Sequence, residues 1–187
     1  MANPDLSRSE ESQLSARQLL LALTEEADEQ CRAYGHAGLG DLAIDEGKPE
    51  EAVRHLRQAL ELAPLEPHYH YLLGFVYGQM QRWHEAASSL KIAADLQPNT
   101  AEYLRCLGWV LCNTEEVEQG RSLLLEAHEL EPQNPHVLAD LASGCLISGE
   151  YELARRYATE ARSLAPDDAL IQSLGAVTEQ LEPDMGW

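Results

Sequence analysis

Positive charge is scarce in this chain of 187 residues. Lys and Arg number 13 against 32 Asp and Glu, for a formal charge of −19. Lys48 and Lys91 are the only lysines. A surface so short of cations disfavours nucleic acid and anionic membranes, both of which are held through Lys and Arg contacts. It favours a basic partner and speeds the encounter with one. Rings are few as well, and Phe75 is the only phenylalanine. No apolar run approaches the roughly 20 residues that a membrane span requires. The start lacks the basic stretch and apolar core of a secretory signal. The four cysteines, Cys31, Cys106, Cys112 and Cys145, have no zinc-ligand spacing and read as reduced, small core residues. Together these absences predict a cytoplasmic protein that binds neither membrane nor nucleic acid.

Catalytic spacings are absent too. There is no phosphate loop, His-Glu-x-x-His, Gly-x-Ser-x-Gly or Cys-x-x-Cys. His68 and His70 lie two apart, so on a helix they point about 200° away from each other and cannot readily share one ion. The reading is that His70 packs and His68 faces out. Glu25-Glu26 and Glu115-Glu116 read as acids at helix starts, where the helix dipole favours them. No catalytic residue, metal or cofactor is expected.

What the chain does have is register. Pro64, Pro98, Pro132 and Pro166 stand 34 residues apart, each closing a Leu-x-Pro tripeptide. Aligned on them, one column reads Leu39, Leu73, Leu107, Leu141, and the next Gly40, Gly74, Gly108, Ala142. Further columns read Ala52, Ala86, Gly120, Ala154; Leu56, Leu90, Leu124, Ala158; and Ala59, Ala93, Ala127, Ala161. The residues recur at helical spacing in two bursts per period, so each unit is two antiparallel helices. Gly47 and Gly149 mark the turn between them in two units. The unit boundaries fall at 33–66, 67–100, 101–134 and 135–168, with a helical segment over 9–32 and a capping helix over 169–182. Residues 1–8 and the tail 183–187 read as mobile. Thr100, Asn134 and Asp168 read as N-caps, and Thr24 as the start of a helix running into the first unit. Acid is spread over every unit except 67–100, which holds only Glu85 and Asp95.

This pattern resembles the tetratricopeptide repeat family, whose signature is Trp-x2-Leu-Gly-x2-Tyr, then Ala-x3-Phe, then Pro. The second unit matches as His70, Leu73, Gly74, Tyr77, Ala86, Leu90 and Pro98, with His70 replacing Trp and Leu90 replacing Phe. The resemblance covers residues 33–166 without a gap. It implies an all-α, right-handed superhelical solenoid of four tandem helix pairs with flanking N- and C-terminal helices. It also implies a protein-binding scaffold whose first helices line a concave groove.

The positions that would line that groove are Tyr34 and Asp41 in the first unit, and His68, Tyr71, Phe75 and Gln79 in the second. The third offers Arg105, Trp109 and Asn113, and the fourth His136, Ser143, Leu146 and Ile147. Such a face should be polar if nothing binds it, yet it carries Tyr71, Phe75, Trp109, Leu146 and Ile147. The expectation is a non-catalytic adaptor or chaperone holding a protein or peptide segment with apolar anchors. Tyr71, Phe75 and Trp109 would grip the segment while Arg105, Asn113 and Gln79 make hydrogen bonds. Ala37 and Asp41 stand where some members carry groups that clamp a chaperone tail's carboxylate, which argues against that use. Two alternatives stand beside this one: an acidic chaperone like those of type III secretion, and a self-assembling structural module, including a homodimer through Leu14–Leu23.

Overall fold

The computed structural model describes residues 4–180, with side chains from Leu14 onward. Among them every regular element is a helix and no strand occurs. The helices are α1 (Pro4–Thr24), α2 (Glu29–Asp45), α3 (Pro49–Leu62), α4 (Pro67–Gln79), α5 (Trp83–Leu96), α6 (Ala101–Cys112), α7 (Val117–Leu130), α8 (Pro135–Ile147), α9 (Tyr151–Leu164) and α10 (Ala169–Gln180). The chain divides into two compact units, Met1–Leu96 and Gln97–Trp187. The first contains α1–α5 and the second α6–α10.

The proline register sets the helix ends. Helices α3, α5, α7 and α9 stop at Leu62, Leu96, Leu130 and Leu164, each two residues short of its proline. Proline's ring forces the residue before it out of the helical region. Ala63, Glu131 and Ala165 accordingly share one non-helical backbone, with φ of −135°, −132° and −132°. The helix starts are less uniform. Asn134 accepts from the amides of His136 and Val137 at 2.9 and 3.3 Å, and Asp168 from those of Leu170 and Ile171 at 2.9 and 3.0 Å. Thr100 makes no such cap; its hydroxyl donates to the Gln97 carbonyl at 3.2 Å.

Thr24 does not open a helix either. It ends α1, its hydroxyl donating to the Leu21 carbonyl at 2.7 Å. Helix α2 begins instead behind Asp28, whose carboxylate accepts from the Cys31 amide at 2.9 Å. Glu25-Glu26 therefore follow a helix end, where the dipole offers them nothing, whereas Glu115-Glu116 do precede α7. Helix α1 starts at Pro4, so the stretch 1–8 expected to be mobile is helical from Pro4 on. Residues 1–3, the last two positions of the expected cap 169–182 and the tail 183–187 lie outside the described residues.

In the first unit, α1 packs on α2, α2 on α3 and α4 on α5. Leu39, Ala43, Ala52, Leu56, Val76, Leu90 and Ala93 are buried there. Each fully buried leucine is worth roughly 1.5–3 kcal/mol. Polar groups tie the same helices together. Arg17 reaches from α1 to Glu46 and Glu51 at 2.7 and 3.0 Å. Arg57 donates to the Tyr77 hydroxyl at 2.7 Å, and the Arg82 guanidinium lies 4.6 Å from that ring's centre. His36 on α2 and His55 on α3 stack, with their Nδ1 atoms 3.3 Å apart. Burial holds both imidazoles below their ordinary pKa.

In the second unit, α6 packs on α7, α7 on α8, α8 on α9, and α10 against α8 and α9. Leu138, Ala161 and Ile171 join α8, α9 and α10 in one buried cluster. Helices α6 and α7 come so close that a Cβ on Gly120 would sit 2.6 Å from the Gly108 carbonyl oxygen and 2.7 Å from the Cys112 nitrogen. Burial pushes the Cys112 thiol up to about 11 and moves Cys106 and Cys145 upward too. All four cysteines are free thiols, and the three buried ones are poor nucleophiles.

Candidate functional site

Helical spacing puts positions three, four and seven apart on one face. On α2 that face carries Tyr34, Asp41 and Asp45, and on α4 it carries His68, Tyr71, Phe75 and Gln79. Helix α4 packs beside α2. Asp41 holds on α2 the position that Phe75 holds on α4, one period later. Tyr34 is 63% exposed, and Asp41, Asp45, His68 and Gln79 are exposed as well. Tyr71 and Phe75 are half-buried. The rings form a ladder along α4. His68 stacks on Tyr71 with centroids 5.8 Å apart, and Tyr71 lies 6.2 Å from Phe75. His70 faces away from the ladder, its Nε2 2.8 Å from the Pro64 carbonyl, so the two histidines diverge.

In the second unit the matching face on α6 carries Glu102, Arg105, Trp109 and Asn113, and on α8 His136, Ala139, Ser143, Leu146 and Ile147. Trp109 and Leu146 are half-buried, while Asn113, His136 and Ile147 are exposed. Arg105 does not stand free to meet a partner. Its Nε and Nη2 donate to Glu102 at 2.9 and 2.6 Å, and its Nη1 to Asp140 at 2.7 Å. Only 17% of the Arg105 side chain and 16% of the Asp140 side chain remain exposed. Burial works against the Arg105 charge, but Glu102 and Asp140 hold its pKa above the ordinary value. Burial pushes the Asp140 carboxyl up to about 6 although Arg105 pulls the other way.

Arg105 is thus a strut between α6 and α8 rather than a hydrogen-bond donor in waiting. Asn113 spends a donor on its own helix, bonding the Trp109 carbonyl at 2.8 Å. The Ser143 hydroxyl does likewise, donating to the Ala139 carbonyl at 3.0 Å. Of the three expected donors, Gln79 alone is exposed with no such bond.

Asp140 is the residue the sequence reading missed. Its column reads Gly38, Leu72, Cys106, Asp140. A carboxylate among small and apolar residues signals a buried charge, and buried charges are paired. The cation on the preceding first helix, Arg105 of α6, is the natural partner.

Among the described residues no helix is long and apolar enough to cross a membrane, and no three His, Cys, Asp or Glu side chains gather as a metal site. A family model described as TPR repeat matches residues 40–81. A search of curated proteins finds no match. Among solved structures, TTC0263, a thermophilic TPR protein of Thermus thermophilus, is 19% identical with a TM-score of 0.77, over 95% of this chain and 93% of that one. YrrB, solved as a TPR protein with an unusual peptide-binding site, is 20% identical with a TM-score of 0.70, over 90% of this chain and 86% of that one. A double mutant of MamA RS-1 is 19% identical with a TM-score of 0.73, over 86% of this chain and 88% of that one.

Proposed function

We propose that this chain is a tetratricopeptide-repeat protein, as the TPR repeat model over residues 40–81 and the fold it shares with its solved neighbours support, and that it acts as a non-catalytic scaffold, an adaptor or chaperone. It would hold a segment of a partner protein against a first-helix face, that of α2 and α4 in the first unit or that of α6 and α8 in the second. The reading takes 33–66, 67–100, 101–134 and 135–168 as its repeats. The observation that carries it is the placement of Tyr71, Phe75 and Trp109. Tyr71 and Phe75 in the first unit and Trp109 in the second are large rings on first-helix faces, each left half-exposed, whereas the rings of Tyr77 and Tyr103 are buried in the packing. A protein with no ligand gains nothing from keeping such rings at its surface, whereas aromatics are enriched at binding hot spots. The peptide-binding site of YrrB, a fold neighbour, supports the same reading.

The test is a Phe75→Ala, Trp109→Ala double variant. Partner capture from the native host should be lost while helicity and melting temperature stay close to wild type. A melting temperature that falls in step with capture would show the rings to be core and overturn the reading.

Exposed leucines favour a second reading, self-assembly through the flanking helices. Leu14, Leu19 and Leu21 on α1, and Leu170 and Val177 on α10, are all exposed. Sedimentation at several concentrations separates the two: growth with concentration supports assembly, and a constant monomer removes it.

A further inference from the structure

We propose that the face of α2 and α4 recognises a cationic side chain, an arginine or lysine set between apolar residues of the partner segment. This rests on the scaffold reading above and names the chemistry of its ligand.

The argument begins with charge that the unit leaves unsatisfied. Asp41 and Asp45 are exposed on the α2 face and form no ion pair or hydrogen bond among the described residues. The described arginines of this unit, and Lys48, are engaged elsewhere; Lys91 lies on α5, not on α2 or α4. Arg17 pairs with Glu46 and Glu51, Arg32 with Glu29, Arg54 with Glu51, and Lys48 with Glu46. Arg57 is bonded to Tyr77, and Arg82 is held by Glu85 and the Tyr77 ring. No Lys or Arg occurs on α4.

On the neighbouring first helix, α4, stands the ring ladder of His68, Tyr71 and Phe75. Ring faces carry partial negative charge and attract a cation lying over them, arginine most often. Carboxylates on the helix next to an aromatic wall, with no cation paired to them among the described residues, are complementary to a guanidinium or ammonium group. An apolar ligand alone would use the rings and leave both acids idle. An acidic ligand would be repelled. The half-buried rings supply the apolar contact that flanking residues of the segment would fill.

The experiment titrates the isotope-labelled full chain with two blocked peptides, followed by amide chemical shifts. One peptide has a single arginine between leucines; the other has citrulline, its neutral isostere, in that place. The arginine peptide should shift amides of α2 and α4 and bind at least fivefold more tightly than the citrulline peptide. Raising salt should narrow that gap. An Asp41→Asn, Asp45→Asn variant should lose the preference and bind the citrulline peptide as wild type does. Equal binding of the two peptides on α2 and α4 would overturn the cation preference and leave the scaffold reading standing. Binding of neither peptide, or shifts confined to other helices, would overturn the preference and remove this face from the scaffold reading as well.

Discussion

The same face is built twice, and the two units treat charge on it in opposite ways. In the second unit Arg105 is enclosed by Glu102 and Asp140, and the rest of the face carries Trp109, Leu146 and Ile147 beside Asn113, His136 and Ser143. In the first unit a ring ladder stands beside Asp41 and Asp45, which have no partner among the described residues. Position within the period sets which helix face a residue lies on. It does not set whether a charge is satisfied inside the molecule, because that depends on what the next first helix carries. The useful places to look for binding chemistry are therefore columns where a charge is left over.

Removing one partner from each unit should separate the two cases most widely. Asp140→Ala leaves the Arg105 guanidinium enclosed with one acid fewer and should cost about 3 kcal/mol in urea unfolding, the low end for breaking a buried pair. Asp41→Ala removes an exposed, unpaired carboxylate and should change stability by less than about 0.5 kcal/mol. Replacing Arg105 and Asp140 together by Met and Leu should recover most of the loss, since a buried pair gains little over apolar residues of like volume. Equal, small effects of Asp140→Ala and Asp41→Ala would dissolve the contrast.

Backbone spacing offers the next test. The column of Gly120 is alanine in the other three periods, at Ala52, Ala86 and Ala154. A consensus argument predicts that Gly120→Ala stabilises, because alanine favours helix by about 1 kcal/mol over glycine. The structure predicts the reverse. The new Cβ would meet backbone atoms of α6 at 2.6 and 2.7 Å, and backbone cannot rotate aside as a side chain can. The helices must separate, at a cost of roughly 2 kcal/mol. Thermal melting of the variant decides between the two.

How far the sequence carried the structure depends on the range of the interaction. Helix ends were readable because proline acts on the residue next to it, and Leu62, Leu96, Leu130 and Leu164 fall where the register put them. Caps were readable where a strong acceptor sits in place, as at Asn134 and Asp168. They failed at Thr24 and Thr100, whose hydroxyls instead bond a carbonyl three residues back. The face itself followed from the 34-residue period, but the state of Arg105 did not. Its second acid is 35 residues away, so it appears only when neighbouring first helices are laid side by side. Ring exposure on the face likewise depends on packing that no local pattern contains.

Acid should move the two units in opposite directions. The His36 and His55 imidazoles are held below their ordinary value, chiefly by burial, with Arg32 and Arg54 adding to it and Glu51 opposing it at His55. The stability they confer is present above about pH 6.5 and is lost as pH falls below it. Asp140 has the opposite sign. Its pKa is raised to about 6, so its contribution is full below the ordinary value of 3.8 and is lost as pH rises through 6. Glu46 and Glu51 are shifted below 4.5 and act only at lower pH. Between pH 7 and pH 5, hydrogen-exchange protection factors, corrected for the intrinsic pH dependence of exchange, should therefore fall in α2 and α3 and rise or hold steady in α6 and α8. His55→Gln should remove the first effect, and Asp140→Asn the second. Parallel changes in both units would refute the assignment of these groups.

The smallest effect concerns the turns between paired helices. Gly47 and Gly149 occupy the left-handed region at φ of 67° and 77°, and Gln81 is forced into it at 58° in the turn between α4 and α5. A side chain there costs roughly 1–2 kcal/mol that glycine avoids. Glycine's freer unfolded chain takes back a part of that gain, about 0.4–1 kcal/mol. Gln81→Gly should thus stabilise by about 0.5 kcal/mol, seen as a small rise in melting temperature, and Gly47→Gln should destabilise. Gln81 lies two residues beyond Gln79, at the foot of the helix that carries the ring ladder. If the turn only connects, peptide binding on α4 will be the same before and after Gln81→Gly. A change in binding without a change in the ladder's own residues would mean that strain at this turn helps to hold the rings in place.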